Sequence, residues 1–147
     1  MAAMALTRMY AYTDNPKYRE WAERTLEAFS GVAPQYGLYA ATYGLAAILF
    51  AEHPTQVVIT GAAADETAVR LEGAANRVFR FGKAVLRVTP ETSLENLPAA
   101  LRQGLPHLPK DRAMALVCTG STCLPPTGDA EELNRVLSNR VTGKAAG

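Results

Sequence analysis

At 147 residues and 48% hydrophobic content, the chain has apolar material for one ordinary core and no room for several. Its formal charge is only +1, and its basic residues are scattered among acids, so there is no electrostatic footprint for nucleic acid or an anionic membrane. Two cysteines in such a chain argue against a disulfide-stapled secreted scaffold.

The opening stretch, residues 1 to 14, lacks the early positive charge, apolar core and cleavage pattern of a secretory signal, which points to a cytoplasmic setting. Leu6, Met9 and Tyr10 fall at helical spacing. Thr13-Asp14-Asn15-Pro16 then supplies a stop, a cap and a proline for the first turn of the next helix, predicting a helical hairpin. The second helix, Pro16 to Ser30, puts Tyr18, Trp21, Ala22, Thr25, Leu26 and Phe29 on one side and pairs Glu20 with Arg24 on the other. Gly31 is expected to close it in the left-handed conformation.

A third helix, from about Pro34 to Glu52, is apolar nearly all round, and a helix of that kind is expected to be sandwiched. Its small residues Ala40, Gly44 and Ala47 form a ridge that would admit another backbone. The apolar run from Tyr36 to Ala51 is too short for a membrane span and carries Thr42 and two glycines.

After His53-Pro54 the period changes. Gln56 to Gly61 reads as a buried strand feeding a helix that starts near Asp65, with Asp65 and Glu66 at its favourable end and Arg77 and Arg80 at the other. Val69, Leu71, Val78 and Phe79 are its predicted core contacts. Lys83 to Val88 is a second strand, followed by Thr89-Pro90 and a weaker helix over about Ser93 to Gln103 with Leu94, Leu97 and Leu101 inward. Pro106 and Pro109 link it to a third strand, Ala113 to Cys118, short and apolar enough to be covered on both faces. Thr119, Gly120 and Ser121 signal a turn, Pro125 and Pro126 stop any further strand, and Asp129 with Glu132 has the form of a capping box for a last helix carrying Leu133, Val136, Leu137 and Arg140 inward.

Strands alternating with helices predict right-handed crossovers. The expected fold class is therefore α/β: an N-terminal helical hairpin plus a long apolar helix over residues 1–52, then a small three-stranded parallel β-α-β-α-β-α unit over 53–140, with a tail over 141–147.

In a parallel sheet, ligands collect beyond the carboxyl ends of the strands, which here nominates Thr60, Gly61, Thr89, Thr119 and the tip bearing Cys118 and Cys123 as one edge. The turn after Thr60 lacks the dinucleotide fingerprint and the P-loop lysine, so it implies no nucleotide cofactor. Cys118-x4-Cys123 is neither a thioredoxin-like C-x-x-C nor a zinc knuckle. His53 and His107 both precede strands while both cysteines follow one, so the histidines are expected at the far edge, no metal site is assigned, and no imidazole is available to activate a thiol. Two readings of the cysteines remain: small thiols packing the top of the sheet, or a reversible disulfide across the tip.

The run Ala115 to Cys118 through Cys123, then Pro126, Asp129 and Leu133, resembles the C-terminal signature of the thioredoxin domain-containing YyaL-like proteins, the family of spermatogenesis-associated protein 20. Upstream, residues 4 to 9 with Asp14, Tyr18, Ala22, Thr25, Leu26 and Phe29 are similar to a helical hairpin late in those proteins, and Gln56 to Gly61 to the strand after it. The resemblance implies the last part of a longer protein whose thioredoxin-like domain and α/α barrel, similar to sugar epimerases and six-hairpin glycosidases, precede it. Neither the family's C-x-x-C nor most of its barrel helices have a counterpart here. The expected role is that of a non-catalytic packing module, partnered by the remainder of a parent protein or another chain and able to self-associate. The alternative is a small-molecule or thiol-redox site at the carboxyl edge of the sheet.

Overall fold

The computed structural model describes residues 1–139 apart from 94, 96 and 121, so Leu94, Ser121, Arg140 and the tail 141–147 lie outside the described residues. Helix α1, Ala2–Thr13, ends where Asp14 turns left-handed at φ 55° and donates its N–H to Tyr10 O at 2.8 Å. Asn15 caps α2, Pro16–Ser30, accepting from Lys17 N at 3.1 Å, and Pro16 fills the first turn as predicted. Gly31 closes α2 in a right-handed conformation, φ −72°, so the left-handed closure belongs to Asp14 instead. Of the face predicted for α2, Ala22 and Leu26 are buried, whereas Trp21 and Phe29 stay exposed.

The long third helix is not one helix. It divides into a 3₁₀ run, Ala33–Ala40, itself kinked where Gly37 takes φ 51° and ψ −124°, and α3, Ala41–Ala51, which starts after Ala40 at φ −85° and ψ 4°. Nor is it sandwiched. Leu38 and Tyr39 are 92% and 94% exposed, and Leu45 and Ile48 are exposed on α3. The physical reason is a shortage of neighbours: α3 leans Tyr43, Ala46, Ala47 and Phe50 on Ala3 and Leu26, and no described element covers its far side. Of the expected Ala40, Gly44, Ala47 ridge, Ala47 is packed against the cluster of Ala3 and Leu26, whereas a Cβ at Gly44 would meet nothing within 4 Å.

The remainder is a three-layer unit. Strand β1, Thr55–Thr60, α4, Glu66–Arg77, and β2, Lys83–Val88, form the expected parallel β-α-β, in register from Thr55 opposite Lys83 to Thr60 opposite Val88. Asp65 caps α4, accepting from Ala68 N at 3.0 Å. Ala68, Leu71 and Ala75 give α4 its buried stripe; Val69 and Phe79, predicted inside, are exposed because Val69 lies one residue off that stripe and Phe79 follows the helix end.

Strand β3, Met114–Thr119, runs antiparallel to β1, and β4, Thr122–Cys123, antiparallel to β3, in the order β2-β1-β3-β4. The three-stranded parallel unit is thereby corrected to a mixed sheet. A parallel third strand would need a crossover long enough to carry the chain back along β2, a six-residue strand of about 20 Å. The helix between β2 and β3, α5, Ala99–Gly104, has six residues and spans about 9 Å. Pro98 bounds it on one side and a 3₁₀ turn, Leu105–His107, on the other, and the chain re-enters the sheet beside Thr60, at the edge where β2 left it.

The last helix, α6, Ala130–Ser138, packs with α4 on one sheet face, where Leu71, Leu133 and Leu137 meet Val57, Ile59, Ala115 and Val117. Leu97, Leu101, Leu105 and Leu108 cover Val58, Leu86 and Leu116 on the other, joined there by Ala11 of α1. The helical segment is tied to the sheet by Gln56 Nε2, which donates to Ala11 O at 2.7 Å, and by Asp14 Oδ2, which accepts from Ala99 N at 3.2 Å. No described helix is long and apolar enough to cross a membrane.

The capping box of α6 is rearranged. Asp129 Oδ1 accepts from Glu131 N at 2.7 Å and Glu132 N at 3.3 Å, while Glu132 accepts from the Thr127 hydroxyl and Asp129 N donates to Thr127 Oγ1 at 3.1 Å. The backbone N–H of Glu131, then that of Glu132, holds the Asp129 carboxyl below its ordinary value. A depressed folded value means the cap's contribution is full above the unfolded pKa of about 3.9 and is lost as pH falls through the folded one. Urea unfolding at a series of pH values should therefore show Asp129→Asn close to wild type at neutral pH but with a shallower loss of stability below about pH 4.

Candidate functional site

The carboxyl ends of β1 and β2 open on a cavity of about 610 Å³. Thr60, Gly61 and Thr89 line it, as the strand ends predicted, together with Leu105, Lys110 and Arg112 from the connection into β3. The polar groups of the predicted edge are, however, already engaged within the protein. Thr60 Oγ1 donates to Met114 O at 3.3 Å and accepts from Met114 N at 3.2 Å, locking the first pair of the β1 and β3 ladder. Thr89 donates its N–H to Thr92 Oγ1 at 2.9 Å, and its hydroxyl, then the backbone, holds the Glu91 carboxyl below its ordinary value.

Gly61 is a packing glycine. It adopts φ 133°, and a Cβ there would lie 3.0 Å from Ala113 Cβ and 3.2 Å from Ala68 Cβ. The turn after it is pinned by Arg87 Nη2, which donates to Ala62 O at 2.6 Å, while Arg87 Nη1 lies 3.7 Å from Glu72 Oε2. The α4 N-terminus behind the turn is occupied by the Asp65 carboxylate, so a bound anion would meet a like charge there.

Cys118, Cys123 and Thr119 are not at this edge. Because β3 is antiparallel, Thr119 pairs with Thr55, their hydroxyl oxygens 3.5 Å apart, at the other end of β1. The single predicted edge is thus two sites separated by the length of a six-residue strand, about 20 Å. At the far end Cys118 and Cys123 face each other across β3 and β4 and are joined by a disulfide.

The same reversal corrects the placement of His53. Predicted at the opposite edge from the cysteines, it lies against the tip, its Cγ 3.5 Å from where a Cβ on Gly120 would sit. His107, in the 3₁₀ turn after α5, does not join it. Among the described residues no group of three or more His, Cys, Asp and Glu is placed to hold a metal ion. The residues that sequence reasoning missed are Lys110 and Arg112 at the cavity mouth. Their signal was the charged run Lys110-Asp111-Arg112 directly before a buried strand, which reads as a solvated turn until the strand's direction is known.

Comparison with protein-family models, curated proteins and solved structures finds no match for the chain. Fold and site together define a mixed α/β protein with a cavity at one sheet edge and a disulfide hairpin at the other.

Replacing Gly61 with Ala forces a side chain into a positive-φ site already at contact distance, and should destabilise the fold by about 1–3 kcal/mol in denaturant unfolding. A neutral result would show that the turn relaxes freely and that the glycine is there for another purpose.

Proposed function

We propose that the chain is a non-catalytic packing module, its α/β unit a rigid support and its helical segment a surface that docks on further helical hairpins. The observation that carries this reading is the uncovered side of the helical segment: Leu38, Tyr39, Leu45 and Ile48 are exposed together with Tyr36, Phe29 and Trp21. Exposed apolar side chains in such number on adjoining elements mark an interaction surface more often than a finished exterior. The resemblance to the last part of the YyaL-like proteins supports the same occupant, helical pairs of a longer barrel, and a cytoplasmic setting. The chemistry of the site agrees: Thr60, Gly61 and Thr89 all have structural work to do.

In isolation this surface should bury itself against another copy. Sedimentation of the purified chain at tens of micromolar is expected to show concentration-dependent association, weakened by Leu45→Glu with Ile48→Glu at little cost in melting temperature. Phe79→Glu, at an exposed position outside the helical segment, should leave association unchanged. A chain that stays monomeric throughout removes the reading.

A second reading is favoured by the cavity of about 610 Å³, which lies where parallel strands end and combines apolar lining with Lys110 and Arg112 set beside Asp65 and Asp111. It makes the module a binder of a small molecule. A rise in melting temperature with one of a panel of small neutral and zwitterionic molecules, lost in Lys110→Ala and Arg112→Ala, is the result expected. No rise across the panel disposes of it.

A further inference from the structure

The hairpin that carries the two cysteines is held by its backbone as well as by sulfur. Leu124 N–H donates to Val117 O at 2.9 Å, and hydrogen-bonded and non-hydrogen-bonded pairs alternate along an antiparallel ladder. The next pair outward, Cys118 and Cys123, therefore occupies a non-hydrogen-bonded site, where facing side chains come closest. Past Pro125 and Pro126 the register slips by one residue. Thr127 there exchanges both backbone bonds with Ala115, at 2.7 and 2.9 Å, so the segment stays on the edge of β3 on both sides of the prolines.

The two sulfurs differ in access. Cys118 is 0% exposed and belongs to the apolar cluster with Val58, Leu86 and Leu116, whereas Cys123 sits exposed on an edge strand of two residues. We infer that Cys118–Cys123 is an exchangeable disulfide, entered by a small thiol at Cys123, and not a staple of the fold. The inference stands apart from the packing reading, since it uses none of the exposed apolar side chains of the helical segment, although Cys118 lies on the sheet face that Ala11 also covers.

A thermodynamic cycle supplies the argument. Whatever a disulfide adds to the stability of a fold, the fold adds in equal measure to the resistance of that disulfide to reduction. A disulfide acts chiefly by constraining the unfolded chain, and does so less the shorter the loop it closes. These cysteines are five residues apart, and the backbone pairs at Val117 and Ala115 hold the hairpin without them. The bond therefore adds less to the fold than a long-range disulfide would, and its native potential stays nearer to that of the same short loop in the unfolded chain. That is the behaviour of exchanging disulfides, not of those that resist the glutathione pool.

The exchange balances as follows. A glutathione thiolate attacks the Cys123 sulfur, a mixed disulfide forms there, and the Cys118 sulfur leaves with the bonding pair and takes up the proton that the attacking thiol shed. A second glutathione thiolate attacks the glutathione sulfur of the mixed disulfide, releasing oxidised glutathione, and the Cys123 thiolate takes the second proton. Two glutathione thiols lose two electrons and the protein disulfide gains them; oxidised glutathione reverses both steps.

The test equilibrates the full chain in glutathione buffers of rising reduced-to-oxidised ratio, native and in urea, then quenches with acid and tags free thiols for a gel shift. Native and unfolded chains are expected to become half-reduced within about a hundredfold of each other in the ratio of reduced glutathione squared to oxidised glutathione, a displacement of about 60 mV for a two-electron couple. A greater displacement of the native chain overturns the inference. Polarity is read separately: oxidised glutathione should form a mixed disulfide with native Cys118→Ser, which retains Cys123, and leave native Cys123→Ser unmodified. The reverse pattern overturns it, and should either variant fail to fold, the wild-type titration decides alone.

Discussion

The pairing of Met114 with Thr60 is the constraint from which the rest of this structure follows. Strand β2 ends at Val88, beside Thr60, and β3 begins at Met114, also beside Thr60, so the connecting segment leaves and rejoins the sheet at one edge. Thr60 seals that junction twice with its hydroxyl. Leu97, Leu101, Leu105 and Leu108 run out and back over one sheet face, filling it with four leucines where a crossover helix would have lain. The junction also decides which side chains are neighbours: Lys110 and Arg112 come to the cavity, and the cysteines go to His53.

A second asymmetry arises from what each unit has to pack against. The sheet is covered twice, by α4 with α6 and by the α5 connection with the end of α1, so its apolar strands are buried through their length. The helical segment has only itself and one contact line to the sheet. Its link there is partly polar, the Gln56 amide on Ala11 O and the Asp14 carboxylate on Ala99 N, both at a helix end where backbone groups lack partners of their own. Such bonds orient two units more than they drive them together, since exchanging water for a protein partner yields little net free energy. The apolar excess of α3 therefore remains on the outside.

How much of this was legible varies with the range of the physics involved. Strand β2 could be read to the residue because Gly82 and Thr89-Pro90 bound a short alternating run, and the caps at Asn15, Asp65 and Asp129 are local chemistry that needs no tertiary knowledge. The cavity residues Thr60, Gly61 and Thr89 were legible for the same reason: they end strands. Direction was not. A buried strand such as Met114–Thr119 is apolar whichever way it runs, and the connection over residues 89–113 is long enough for either direction. Reading the Ser93 to Gln103 segment as a full crossover helix therefore carried Thr119, Cys118 and Cys123 to the wrong edge. The third helix failed differently: all-round apolarity reports what a segment needs, and says nothing of whether the neighbours to supply it are present.

The two edges of the sheet have opposite relations to stability, and that distinguishes their chemistry. At the cavity edge, Thr60, Gly61 and Arg87 hold the junction that defines the topology, so any ligand there must bind among groups that are not free to move. At the hairpin edge, the sulfur bond duplicates a restraint that the backbone already imposes at Leu124 and Thr127. Cys118 itself is buried with Val58, Leu86 and Leu116, so the redundancy lies in the pairing of the hairpin, while the sulfur that would leave stays inside the core. Redundancy at Cys123 and indispensability at Thr60 thus assign reversible chemistry to the first edge and structural duty to the second.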